Sequence, residues 1–255
     1  MERIVSKQNT KIKELKKLNT NKGRKKKQQY LLESWHLVQE AINNLPQEQI
    51  ITIFTTDDQY LKHGSELKNF EVILISEEIA AEIADTSTTQ GIFAVCKIFD
   101  TSLEKNEYQG AWLLLDDVQD PGNIGTMVRT ADAAGFTGVV FGEGTSSQYN
   151  SKVLRSMQGS QFHIKLVKEK IENVINQLKT NEVPVYGTEL NPEAINYEMV
   201  KPADNFALIM GNEGNGMDKK LLSETTENLY IPIKGHAESL NVAVAAAVIM
   251  FRIKK

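Results

Sequence analysis

A chain of 255 residues, 41% hydrophobic and 24% charged, has the composition of a folded globular protein with room for one large domain or two small ones, which excludes a disordered chain. The longest apolar run, residues 242–251, is about half of a membrane span, and the lysine-rich start reads as lacking a signal peptide, so a cytoplasmic protein without membrane contact is expected. The single cysteine, Cys96, excludes an internal disulfide framework and a cysteine-based zinc site; the four histidines show no ligand spacing, so no metal is expected.

The net charge of −4 hides an asymmetry. Residues 1–30 hold eleven Lys or Arg against two acids, Glu2 and Glu14, which makes this stretch +9 and leaves −13 for the other 225 residues. Such a segment is either a polyanion-binding element or a solvated tail. Ile12, Leu15 and Leu18 recur at helical spacing between the lysines, which favours an ordered basic helix. Next the pattern predicts a helix over 30–42, a strand over 50–54, a helix after Thr56-Asp57 and a strand over 72–75. Ser76 should cap a helix over 77–84, and a strand follows over 92–98. This alternation describes a small α/β unit. The charged stretch 101–110 reads as a linker between residues 1–100 and a second domain, 111–255.

After Gly110 stronger strands are predicted at 112–115, 139–141, 164–167, 183–186, 206–210 and 229–231, with helices over 124–134, 149–157 and 169–178 and a last one over 240–253. The strands are apolar on both faces, as in a mostly parallel sheet covered by helices. Ligands of such sheets bind beyond the strands' carboxyl ends, so the loops there matter most.

In the first of these loops Pro121-Gly122 reads as a turn and Asn123 as the helix N-cap. On the helix that follows, Ile124, Met127, Val128, Ala131 and Ala134 share one face. Arg129 points the other way, one turn after Gly125, and is either a surface arginine or a group held beside a ligand. The second loop, residues 211–216, has three glycines in six positions, which lets backbone groups face a ligand. It is neither a Walker loop nor a dinucleotide fingerprint, which removes a nucleotide-dependent oxidoreductase. The third, residues 231–241, runs into a helix apolar nearly all round and therefore expected to be buried, with Ser239 as its N-cap and Asn241 in need of a partner.

Taken in order, DPGNIGTMVRTADAAGF at 120–136, IMGNEGNGM at 209–217 and IPIKGHAESLNVAVAAAVIMF at 231–251 resemble the three signature motifs of the SpoU (TrmH-like) branch of the SPOUT RNA 2′-O-ribose methyltransferases. More loosely, SKQNTKIKELKKL and YLLESWHLVQEA resemble the family's ribosomal-protein-like RNA-binding domain, except that Glu33-Ser34-Trp35 stands where the family usually has Glu-Gly. The resemblance implies an α/β fold: a small RNA-binding domain followed by a parallel sheet with a deep trefoil knot. It also implies a homodimer with the active site close to its interface. The implied cofactor is S-adenosylmethionine, contacted at Gly211, Ile231, Leu240 and Thr188. Asn123, Arg129, Glu213, Ser239 and Asn241 match the catalytic positions, and Lys11, Lys22, Arg24, Lys25, Lys26 and Lys27 are the candidate RNA contacts.

The implied reaction methylates a ribose 2′-OH, of ribosomal RNA ahead of transfer RNA. Arginine's pKa above about 12 makes it a poor base, so Arg129 is expected to stabilise the developing alkoxide while a substrate phosphate or water takes the proton. The rival reading is a catalytically silent RNA-binding protein that kept the fold. Intact Arg129, Glu213 and Asn241 speak against it.

Overall fold

The computed structural model describes residues 1–99, 103, 108–189 and 193–255. The chain divides into two units: Met1–Asp100 with Tyr149–Phe162, and Thr101–Gln148 with His163–Lys255.

The first unit runs β1 (Glu2–Ile4), α1 (Thr10–Lys17), α2 (Asn21–Lys27), β2 (Gln29–Glu33), α3 (Trp35–Asn44), β3 (Ile50–Thr55), α4 (Asp57–His63), β4 (Val72–Ile75), α5 (Glu77–Ile83) and β5 (Ile92–Lys97). Its sheet has the order β1-β4-β3-β5-β2, with β1, β4 and β3 parallel and β5 antiparallel to both its neighbours. The lysine-rich start is an integral part of this unit. Ile12, Leu15 and Leu18 are buried in one cluster with Ile73, Ile75, Ile79 and Phe93, so α1 is anchored by its apolar face.

The helix expected over 30–42 is two elements. Tyr30 pairs with Cys96 and Leu32 with Ala94 in β2, and the helix begins only at Trp35. A short apolar run such as Leu31-Leu32 satisfies either period, and the pairing to β5 decides it. At the junction Ser34 has φ 104°, a region that favours glycine. Here the serine side chain instead caps α3, accepting from Leu37 N at 3.5 Å.

In the second unit come β6 (Ala111–Leu115), α6 (Pro121–Ala133) and β7 (Gly138–Phe141); α7 (Ser151–Met157) belongs to the first unit. The second unit continues with β8 (Lys165–Lys168), α8 (Ile171–Thr180), β9 (Val185–Thr188), β10 (Ile195–Asn196), β11 (Phe206–Met210), α9 (Lys219–Ser223), β12 (Glu227–Tyr230) and α10 (Val242–Ile253). The expected domain plan is corrected at α7, which sequence order assigned to residues 111–255. Val153, Leu154 and Met157 are buried, Arg155 pairs with Asp85 at 2.8 Å, and Tyr149 lies 4.8 Å from Tyr30, ring to ring. The predicted linker, 101–110, lies largely outside the described residues.

Seven strands in the order β10-β12-β9-β11-β6-β7-β8, every described pair parallel, form the second sheet. All five residues of β6 and all five of β11 are buried, as both-face apolar strands require. In register, Met210 pairs with Leu115 and Leu115 with Phe141, so these strands end level. The chain moves outward from β6 to β7 and β8 on one side, while β11 lies on the other. The ends of β6 and β11 therefore flank the crevice where open α/β sheets hold ligands. The last helix departs from expectation. Val244, Val248 and Phe251 are 50%, 36% and 63% exposed, so α10 carries an apolar stripe on its outer face as well as a buried one.

Candidate active site

Three loops converge at the carboxyl ends of β6, β11 and β12. The first is held by the start of α6, where Asp120 is the N-cap and Pro121 the first helical residue. Asp120 Oδ1 accepts from Asn123 N at 2.8 Å. This corrects the assignment of the cap to Asn123: proline's fixed φ suits the first helical position, so the helix starts earlier. Asn123 is thereby freed from capping. Its Nδ2 donates to Glu213 Oε1 at 3.1 Å, and its Oδ1 accepts from Asn241 Nδ2 at 2.9 Å.

Asn241, not Ser239, is the N-cap of α10, its Oδ1 accepting from Ala243 N and Val244 N. The partner that Asn241 was expected to need is Asn123. Glu213 also accepts from Gln119 N (3.3 Å) and Asp120 N (3.1 Å), so its carboxylate closes the second loop onto the first. Burial pushes the Glu213 carboxyl up, but the hydrogen bonds from backbone and from Asn123 outweigh it and hold the group below the usual carboxylate range. Asp116, nearby, is held above it, chiefly by burial and against the bond from the Asp218 N–H.

Beside this junction lies a cleft of about 260 Å³ lined by all four predicted donor contacts, Gly211, Ile231, Leu240 and Thr188, and by Glu213 and Ser239. A Cβ on Gly211 would stand 2.4 Å from Met217 N, so the glycine is required by the closing of its own loop. Thr188 Oγ1 donates to Ile209 O at 3.0 Å. Ile233, Val242 and Ala245 complete an apolar wall, and Glu189 and Glu238 add carboxylates. Arg129 is exposed on α6 and makes no side-chain hydrogen bond or ion pair among the described residues. His236 is exposed in the third loop. Among the described residues no group of three His, Cys, Asp or Glu could hold a metal ion, and no helix is long and apolar enough to cross a membrane.

Asn212 and Asp117, which sequence reasoning did not single out, join the second loop to the first: Asn212 Nδ2 donates to Asp117 O at 2.9 Å. The only signal in the sequence was an asparagine two places before a glycine, which is common in turns.

This geometry has counterparts. Residues 110–251 match the SpoU rRNA Methylase family, and residues 9–94 match an MRM3-like substrate binding domain. The chain belongs to the SpoU rRNA methylase family. It is 43% identical to the 23S rRNA (guanosine(2553)-2′-O)-methyltransferase RlmP of Bacillus subtilis (strain 168), covering 100% of both chains. An rRNA methyltransferase structure from Sinorhizobium meliloti aligns with a TM-score of 0.88 at 25% identity, covering 99% of this chain and 96% of that one. An AdoMet-bound rRNA methyltransferase structure from the same organism gives 0.87 at 26%, covering 99% and 97%.

In this SpoU chain the six candidate RNA contacts of the first unit divide. Arg24 is buried, 4% exposed, and its Nη1 donates to Leu18 O at 3.0 Å, so it braces the turn between α1 and α2. Lys11 pairs with Glu2 at 2.6 Å and Lys27 with Glu14 at 2.7 Å. Lys17 and Lys27 together hold the Glu14 carboxyl down to about 2. Lys22, Lys25 and Lys26 are exposed on α2 and have no acidic partner among the described residues, which leaves their charge available to a phosphate backbone. Replacing these three by alanine is expected to weaken RNA binding at low salt and to reduce the slope of log K against log salt by roughly 2 to 3. Lys11→Ala should change little. An unaltered slope in the triple variant, measured by filter binding across a salt series, would show that α2 does not touch RNA.

Proposed function

We propose that this chain transfers a methyl group from S-adenosylmethionine to a ribose 2′-OH of ribosomal RNA, in the cytoplasm. The observation that carries this reading is the convergence of the three motif loops, with the chain Asn241–Asn123–Glu213 closed at 2.9 and 3.1 Å beside a cleft of about 260 Å³. The target named for the Bacillus subtilis relative, a guanosine of 23S rRNA, is the nucleotide to test first.

The cleft suits the donor's chemistry. Ile231, Ile233 and Leu240 offer apolar surface for a flat purine, and the carboxylates of Glu189, Glu213 and Glu238 favour a cation. Gly211, Ile231, Leu240 and Thr188 are the residues that would hold it. When bound, S-adenosylmethionine supplies a methyl group already activated for transfer, which leaves alignment and charge control to the protein. Arg129, a guanidinium, stabilises the charge that develops on the ribose oxygen. Asn123, Glu213 and Asn241 fix the loops that orient donor and ribose, and Ser239 offers a hydroxyl at the edge of the cleft. The 2′-OH proton leaves to a substrate phosphate or to water.

The reading includes a homodimer. The stripe Val244, Val248 and Phe251 on α10 begins next to Asn241, and a second copy of the chain would bury it. It also includes a deep trefoil knot closed by the segment that ends in α10. Stretching the chain from both ends would leave it short of full contour length if knotted.

Calorimetry with S-adenosylmethionine in EDTA should show saturable binding, and sedimentation of the same sample should give twice the 28.6 kDa chain mass. Ribosomal RNA from deletion cells should lack one ribose methylation by mass spectrometry. A flat titration of folded protein, or an unchanged methylation map, would overturn the reading.

A further inference from the structure

Asn212 uses every polar group it has within the protein. Its backbone N–H and C=O exchange bonds with Gly216 O and N, both at 3.0 Å. Its Oδ1 accepts from Gly214 N at 2.9 Å and Asn215 N at 3.0 Å, which folds residues 212–216 into a closed turn. Its Nδ2 reaches out of that turn to Asp117, 2.9 Å from the backbone oxygen and 3.3 Å from Oδ2. One side chain therefore both shapes the glycine loop and docks it on the loop that leads to Asn123.

The receiving end is held with equal care. Asp117 has φ 52°, a left-handed conformation that asparagine and aspartate adopt more readily than most residues. Its Oδ1 accepts from Gln119 Nε2 at 3.3 Å. On the opposite side a Cβ at Gly144 would lie 2.0 Å from that same oxygen, and Gly144 is itself left-handed, at φ 78°. Residues 117, 144 and 212 thus meet at one point, and residues 211–213 and 216 on the far side of the turn line the cleft.

We infer that Asn212, docked on Asp117, is a positioning residue for methyl-donor binding, setting the wall of the cleft formed by residues 211–216 against the first loop. The inference rests on the proposed function, since it takes the cleft to be the donor site. Asn212 acts through the backbone it orders, and its own polar atoms stay engaged with protein.

Asn212→Asp separates the two jobs. The carboxylate still accepts from Gly214 N and Asn215 N, so the turn survives, but it cannot donate to Asp117 and sets a like charge beside it. A buried or half-buried acceptor left without its donor commonly loses one to two decades in an equilibrium. Donor Kd should therefore rise about 10- to 100-fold, with KM for the donor raised in parallel and kcat at saturating donor within about 3-fold of wild type. Adding Asp117→Asn removes the like charge, tolerates the positive φ and restores a donor between the two side chains. The double variant should recover part of the lost affinity, because the bond to the Asp117 backbone oxygen stays broken. Gly144→Ala, which crowds Asp117 from behind, should resemble Asn212→Asp.

Melting temperatures taken alongside keep a folding defect visible. Donor affinity in Asn212→Asp equal to that of a wild type that binds would overturn the inference. So would a loss that Asp117→Asn does not relieve, or one that merely follows a fall in melting temperature. A wild-type chain that binds no donor would overturn the functional reading, and this inference with it.

Discussion

Arg129→Ala is expected to lower kcat by about 10²- to 10³-fold while donor affinity and melting temperature stay near wild type. The structural half of this expectation follows from the environment of the residue. Arg129 is exposed, on the face of α6 opposite Ile124, Met127, Val128 and Ala131, and its guanidinium has no partner among the described residues. Removing it breaks no contact of the fold, so a change in activity cannot be traced to unfolding. The functional half follows from the chemistry of an alkoxide forming on a poor nucleophile, for which a fixed cation matters far more in the transition state than before it.

Arg129→Lys is the sharper variant. It keeps the charge but loses the planar fork, and it should also be severely impaired if geometry matters as much as charge. Single-turnover methyl transfer with saturating donor reads this directly. Near wild-type rates in both variants would mean that Arg129 is only a surface arginine, and the alkoxide would need another cation.

Much of this fold was legible because its strands are apolar on both faces and end in unusual loops. The strand over 206–210 was read to the residue, since five consecutive apolar side chains between Asn205 and Gly211 leave no other period to fit. Legibility failed where local chemistry offered two solutions. Tyr30-Leu31-Leu32 suits a helix or a strand, and only the pairing with Ala94 and Cys96 chooses. Residues 149–157 read as a helix, which the structure places at Ser151–Met157, but nothing local reveals that Val153, Leu154 and Met157 serve the first unit. A sequence read in order assigns a helix to the domain around it, and this chain goes out of one unit and back.

The candidate site shows the same division. Each motif could be found alone, yet the hydrogen bond between Asn123 and Asn241 spans 118 residues and that between Asn123 and Glu213 spans 90. No periodicity encodes such pairs. The caps were misassigned by three residues in one helix and two in the other, because Asn123 and Ser239 are good capping residues in isolation. Folding chose Asp120 and Asn241, and the choice matters chemically. A capping Asn123 would have turned its Oδ1 to the backbone of its own helix, whereas here that oxygen faces Asn241. The lysine cluster was equally ambiguous. Charge counting treated Arg24 and Lys22 alike, whereas one is buried and the other exposed.

Glu213→Gln is expected to lower kcat/KM by about 100-fold, through loss of the junction between the first two loops. The carboxylate accepts from two backbone N–H groups and from Asn123 Nδ2. An amide offers one oxygen and one NH2 group in their place, so at least one of those donors must face another donor. Hydrogen bonds to a charged group contribute roughly 1.5–3 kcal/mol each, and turning one of them into a donor–donor clash while removing the charge from the others accounts for about two decades. The pH dependence gives an independent check. The Glu213 carboxyl titrates below its ordinary range when folded, so its contribution to stability is complete above that range and is lost as pH falls through the lowered value. Across the neutral range it stays ionised and adds no step to the wild-type profile. The melting temperature of wild type should therefore fall more steeply with acid than that of Glu213→Gln. Parallel acid profiles for the two proteins, together with unchanged kcat/KM, would show that the carboxylate only decorates the loop. Asn123 would then have to hold its position through Asn241 alone.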